Sequence, residues 1–136
     1  MLTLYHAPRS RSFRVLWLLE ELGVPYDTEM VSIRGTDSAG HMPADYIDIH
    51  PHRKVPALVH DGVPVFETPA IALYLTDLFP EKGLGPLVGD ADRGPYLTWL
   101  SYSTGVFEPA MVERAFKRPH EGLSLIHISE PTRLGM

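Results

Sequence analysis

Lys54-Val55-Pro56-Ala57-Leu58, followed eleven residues after Pro56 by Glu67-Thr68-Pro69-Ala70-Ile71, decides how this chain is read. A proline preceded by an apolar residue and bordered by β-type runs is a place where a cis X-Pro bond is kept as a deliberate feature. Such a bond turns the backbone of Val55 outward. Its N–H and C=O can then pair with an extended peptide ligand as if that ligand were an added strand. Glu67 and Thr68 stand just before an apolar-periodic segment, which places them at a helix start. Helix N-terminal N–H groups favour an anion, and a carboxylate beside them accepts from an amine, so the pair suits the zwitterionic end of a peptide.

Working outward, Ala57 to His60, the pair Asp61-Gly62, and Val63 to Phe66 read as a hairpin, because Asp-Gly between β-rich runs is a strong turn signal. A helix follows from about Pro69 to Leu78 and is stopped by Pro80. Upstream, Leu2 to His6 reads as a strand and Ala7 to Arg11 as a turn. From Ser12 the apolar set Val15, Leu16, Leu18, Leu19 and Leu22 recurs at helical spacing until Gly23-Val24-Pro25 ends it. Tyr26 to Ile33 alternates as a second strand, Arg34 to Gly40 is polar, and Tyr46-Ile47-Asp48-Ile49 is a short helical turn ended by Pro51. The order βαβ, a connection, then ββα fills about 80 residues, an ordinary small-domain size. It predicts an α/β, thioredoxin-like domain over residues 1–80, with a mixed four-stranded sheet and helices on both faces.

Residues 81–89 hold three glycines and Pro86 and read as a linker. Asp90 or Asp92 can then cap a helix carrying Tyr96, Leu97, Trp99 and Leu100, which Pro109 should bend or restart near Glu108. Residues 90–118 are thus expected to open an all-α domain in which Tyr96, Trp99 and Leu100 face a core. Residues 119–136 are expected to be a non-native tail. Leu123 to Arg133, Leu-Ser-Leu-Ile-His-Ile-Ser-Glu-Pro-Thr-Arg, resembles a translated transposon-end adaptor of the kind used to prepare sequencing libraries. The expectation is a reading frame cut short, with the natural sequence ending near Gly122.

Composition narrows the function classes. With 12 Lys and Arg against 17 Asp and Glu, a net charge of -5 argues against nucleic acid as the main partner. Arg9, Arg11 and Arg14 form a local basic cluster, read as a solvated rim. His50 and His52 lack a third ligand and read as polar loop residues, so no metal is expected. The apolar stretches fall short of a membrane span and no signal peptide leads into Leu2, so no membrane partner and a cytoplasmic location are expected. Cysteine is absent, so a thioredoxin-like domain of this sequence does no dithiol exchange of its own. Any thiol chemistry uses a sulfur brought by the ligand.

Ser10-x-Ser12-x-Arg14-Val15, His50-Pro51-x-x-Lys54-Val55-Pro56-Ala57-Leu58, Glu67-Thr68-x-Ala70-Ile71 and Tyr96-Leu97-x-Trp99-Leu100 each form a weak pattern. In this order and spacing, residues 1 to about 118 resemble a cytosolic glutathione S-transferase of bacterial, serine-like type. The resemblance implies attack of a glutathione thiolate on a small electrophilic substrate, with glutathione as co-substrate, no metal, and a homodimeric parent protein. It also implies alternatives on the same fold: a non-catalytic binding or scaffold protein, or a glutathione-dependent isomerase or ether-cleaving enzyme. A hydroxyl at the start of the first helix would donate to the thiolate. A free thiol has a pKa of about 8.5, and lowering it by about two units takes about 2.7 kcal/mol of preferential thiolate stabilisation. Ser10 matches that hydroxyl, with Tyr5 and Ser12 as alternatives. Lys54, Val55, Pro56, Glu67 and Thr68 would hold glutathione, Lys54 by its glycyl carboxylate and Glu67 by its γ-glutamyl amine. The family's second motif usually reads Asn-Pro-x-Gly-Lys-Val-Pro, whereas His50 and Arg53 stand at its Asn and Gly positions here.

Overall fold

A computed structural model describes residues 1–33 and 42–116. Residues 34–41 and 117–136, including the adaptor-like stretch from Leu123 to Arg133, lie outside the described residues. The chain divides into two compact units, Met1–Val88 and Gly89–Met136.

The first unit runs β1 (Leu2–His6), α1 (Phe13–Leu22), β2 (Asp27–Met30), a 3-10 turn (Ala44–Asp48), β3 (Ala57–His60), β4 (Val63–Phe66) and α2 (Thr68–Leu78). The sheet order is β2-β1-β3-β4. β1 pairs parallel with β2 and antiparallel with β3, and β3 pairs antiparallel with β4, so the sheet is mixed. The hairpin turn takes positive φ at both Asp61 (49°) and Gly62 (83°), the geometry whose twist matches that of the flanking strands. α1 stops at Gly23, whose left-handed backbone (φ 62°) lets its N–H reach the carbonyls of Leu19 and Glu20.

Strand alternation sorts the core into two layers. Leu2 and Leu4 of β1 and Leu58 of β3 point to one face, where Val15, Leu19 and Leu22 of α1 and Ile71 and Leu75 of α2 close over them. Tyr5 and Ala57 point to the other, against Tyr46, Val31, Val55 and Ala7. Among the described residues of this unit both α-helices share one face, and the 3-10 helix carrying Tyr46 covers the second. Helices thus lie on both faces, as expected, the second held by a five-residue 3-10 helix that fills its layer with one wholly buried tyrosine. β2 is shorter than the expected 26–33 because β1 offers it only four partners, Thr3 to His6. All four β2 residues are exposed, and Asp27 and Glu29 put charge on this edge strand, which discourages pairing with another chain.

The second unit holds α3 (Arg93–Tyr102), a π-helical turn (Ser103–Phe107) and α4 (Glu108–Phe116). The π turn interrupts the helix just ahead of Pro109, whose missing N–H cannot serve an α-helical ladder. α3 buries none of its residues, and Trp99 is 65% exposed. The expectation that Trp99 faces a core is corrected accordingly. Among the described residues, no helix is long and apolar enough to cross a membrane.

Candidate glutathione site

The turn between β1 and α1 folds back on itself through two serine hydroxyls 2.7 Å apart. Ser12 is wholly buried. Its Oγ lies 2.7 Å from His6 Nδ1, accepts the Ala7 N–H at 3.2 Å and stands 3.2 Å from the Ala7 carbonyl oxygen. Ser10, half-buried, donates to that same carbonyl at 2.6 Å and accepts the Ser12 N–H at 3.2 Å. Burial holds the His6 imidazole below its ordinary range, so it stays neutral beside the two hydroxyls. Ser12 is thereby committed to the interior. Ser10 alone of the two reaches the surface, where it lines an open groove of about 810 Å³.

The opposite wall of that groove is the loop before β3, with Lys54 and Val55 among its lining residues. The Val55-Pro56 peptide bond is cis. Val55 tucks its side chain into the second core layer. Among the described residues no hydrogen bond engages its backbone N–H or C=O, which leaves a peptide edge open to a ligand. The residue before it is pinned from below: the Tyr46 hydroxyl donates to the Lys54 carbonyl at 2.7 Å. Burial, reinforced by Tyr5, drives the Tyr46 hydroxyl pKa well above its ordinary value, so it remains a donor.

Glu67 occupies the position before α2 with φ 75° and ψ 120°, and neither it nor Thr68 lines the groove. A non-glycine residue at such a φ is strained by about 1–3 kcal/mol and is found where the surrounding structure dictates the geometry. Glu67 is exposed, and Thr68 opens the helix with Pro69 behind it. His50 ties this corner to the groove. It is 3% exposed, its ring packs 4.7 Å from that of Phe66, and its Nδ1 accepts the His52 N–H at 3.2 Å. Burial lowers its pKa, Glu67 opposes the shift, and His52 and Lys54 add to it, so Glu67, His52 and Lys54 all lie within electrostatic reach of one buried ring. His50 is thus a core residue, a correction to its reading as a polar loop histidine.

Tyr5 lies elsewhere. Its ring packs 5.5 Å from Tyr46 on the second face, and burial, then Glu29 and Asp45, raise its pKa. Pro56 is buried behind Val55. Of the sequence candidates, Ser10, Lys54 and Val55 share the groove, while Tyr5, Ser12, Pro56, Glu67 and Thr68 do not line it. Sequence reasoning missed His6 and Tyr46, which position the two walls. Their signal was slight: an alternating strand ending in histidine, and a tyrosine in a short helical turn. Among the described residues no group of three metal-ligating side chains converges.

Residues 1–77 match the profile of the glutathione S-transferase N-terminal domain. The chain is 31% identical over 109 residues to glutathione S-transferase 3 of Schizosaccharomyces pombe, covering 80% of this chain and 43% of that protein. It is 26% identical over 110 residues to the transcriptional regulator URE2 of Saccharomyces cerevisiae, covering 76% of this chain and 30% of the other. The fold superposes with a TM-score of 0.72 on a sphingomonad glutathione S-transferase complexed with glutathione, at 29% identity, over 98% of this chain and 65% of that one. The chain thus spans less than half the length of either curated relative, and the family profile it matches covers the serine turn and the Val55 edge. On these grounds it belongs to the glutathione S-transferase family.

Proposed function

We propose that the groove lined by Ser10 and Val55 binds glutathione, and that the whole protein joins the glutathione sulfur to a small electrophile. The observation that carries this reading is the pairing of an open peptide edge at Val55 with a surface hydroxyl at Ser10 across one groove. The cysteinyl peptide group of glutathione pairs with Val55 as an added strand. Lys54 takes the glycyl carboxylate, and Glu67 with the N-terminus of α2 takes the γ-glutamyl end.

The hydrogen-bond arrangement makes Ser10 a good donor. In the free protein its proton rests on the Ala7 carbonyl. Ser12 stands 3.2 Å from that carbonyl and 2.7 Å from Ser10 Oγ. When a thiolate draws the Ser10 proton away, Ser12 can donate in its place, so no buried acceptor is stranded. Ser10 goes on accepting the Ser12 backbone N–H at 3.2 Å while it donates to sulfur, and that bond polarises its hydroxyl. The thiol proton leaves to solvent, the thiolate attacks the electrophilic carbon, a C–S bond forms, and the leaving group departs with its electron pair.

Calorimetry tests the binding half: Glu67→Ala with Thr68→Ala should weaken glutathione binding, and an unchanged affinity would remove those residues from the site. Thiolate absorbance against pH tests the chemical half. Ser10→Ala should raise the thiol pKa in the complex by about one to two units with little loss of affinity, and an unchanged titration would move the role to Tyr5 or Ser12. The similarity to a transcriptional regulator favours one second reading, a glutathione-binding protein without turnover. Normal glutathione affinity with no conjugation by the full-length protein would select it.

A further inference from the structure

The chain is acidic overall, yet five of its 12 Lys and Arg residues, Arg9, Arg11, Arg14, Arg53 and Lys54, line the one groove that holds Ser10, and no described lining residue is a carboxylate. Two of these cations are placed at a cost. Arg9 (φ 53°) and Arg53 (φ 52°) both adopt the left-handed backbone conformation, which glycine reaches freely and a side chain with Cβ does not. Both side chains are exposed. Arg9 adjoins Ser10 and Arg53 adjoins Lys54, so the two arginines come to the one groove from different loops, one after β1 and one before β3. Glutathione carries two carboxylates: Lys54 answers the glycyl one and the N-terminus of α2 the γ-glutamyl one. The strained arginines are left for a further anion.

We propose that the electrophile taken beside glutathione carries an acidic group, a carboxylate or similar anion, held between Arg9 and Arg53. This deepens the glutathione reading and rests on it. Arginine suits the task because its planar fork binds a carboxylate in two parallel hydrogen bonds. Phe13 and Ile33, also in the lining, supply apolar contact for the carbon skeleton.

The test compares two stable conjugates that differ by one carboxylate, S-benzylglutathione and S-(4-carboxybenzyl)glutathione, titrated calorimetrically into the full chain alongside glutathione. The carboxylated conjugate should bind about fivefold more tightly at low ionic strength, a gap of the size expected for exposed charge pairs, and the gap should narrow as salt rises. Arg9→Gln and Arg53→Gln should each shrink the preference, and the double variant should abolish it, while S-benzylglutathione binds as before. Arg9→Lys with Arg53→Lys should restore part of it. Glutamine meets the same backbone strain as arginine, so the fold is not altered by the change. Equal affinity for the two conjugates, or a preference that survives the double substitution, overturns the inference and leaves glutathione binding standing. Failure of glutathione itself to bind overturns the functional reading and this inference together.

Discussion

α1 and α3 are both ten residues long and both carry apolar residues at helical spacing, yet α1 buries Val15, Leu19 and Leu22 while α3 buries nothing. The difference is the partner. β1, β3 and α2 present Leu4, Leu58 and Ile71 to the face of α1, each wholly buried. In the second unit Trp99, Phe107, Met111 and Phe116 are each more than half exposed. Periodicity marks which side of a helix can be buried. It does not supply the surface that buries it.

The largest test of that contrast is a matched pair of truncations. Leu19→Ala should cost about 3 kcal/mol, since it removes a wholly buried side chain from between sheet and helix. Trp99→Ala should stay within about 0.5 kcal/mol, as surface changes do. Urea unfolding followed by circular dichroism reads both, and a Trp99 cost near that of Leu19 would show that α3 is packed in solution and break the comparison.

Tyr46→Phe sharpens it within the first unit. The substitution keeps the ring in its layer and strips the Lys54 carbonyl of its donor, so about 1–2 kcal/mol of stability should go. Glutathione affinity should fall with it. Weaker binding without a stability change would assign Tyr46 to the ligand; no change in either would mean that the Lys54 loop holds its shape unaided.

pH probes the same packed unit. His6 and His50 both have pKa values lowered by burial from an ordinary 6.5. Their neutral forms are favoured in the folded chain, so their stabilising contribution is whole above about pH 6.5. It is lost as pH falls from there through the folded values, because the unfolded chain takes up protons first. The loss should approach about 1.4 kcal/mol per pH unit for each histidine while only its unfolded form titrates. Denaturant midpoints measured between pH 7.5 and 5 should therefore decline, and His50→Gln should flatten the slope. A profile that is level across this range would contradict the burial of both rings.

The smallest effect carries the opposite sign. Arg53→Gly should stabilise the fold by up to about 1 kcal/mol, the left-handed penalty less the extra chain entropy of glycine. This φ also explains why glycine stands at that place in the family motif. A destabilised Arg53→Gly in the same unfolding assay would mean that the guanidinium makes contacts worth more than the strain.

Much of the first unit was legible because its signals are local. β1, β3 and β4 begin and end where the alternating runs and Asp61-Gly62 put them, and Pro25 and Pro80 fall just beyond the ends of α1 and α2. The cis Val55-Pro56 bond was legible too, since it is marked by its own residues. Ser10 and Ser12 were not separable in sequence, because two small hydroxyls two residues apart have the same local chemistry. Burial separates them: one is turned inward to His6 and the other opens on the groove. By itself the sequence determined the order of strands and helices, the cysteine-free chemistry and the cis bond at Val55-Pro56, all consequences of side-chain pattern and backbone constraint within a few residues. Only the tertiary structure decided that Tyr46 would brace Lys54 and that Arg53 would line one groove with Arg9. Those meetings join residues 8 and 44 positions apart, and distance along a chain carries no information about distance in space until the sheet has formed.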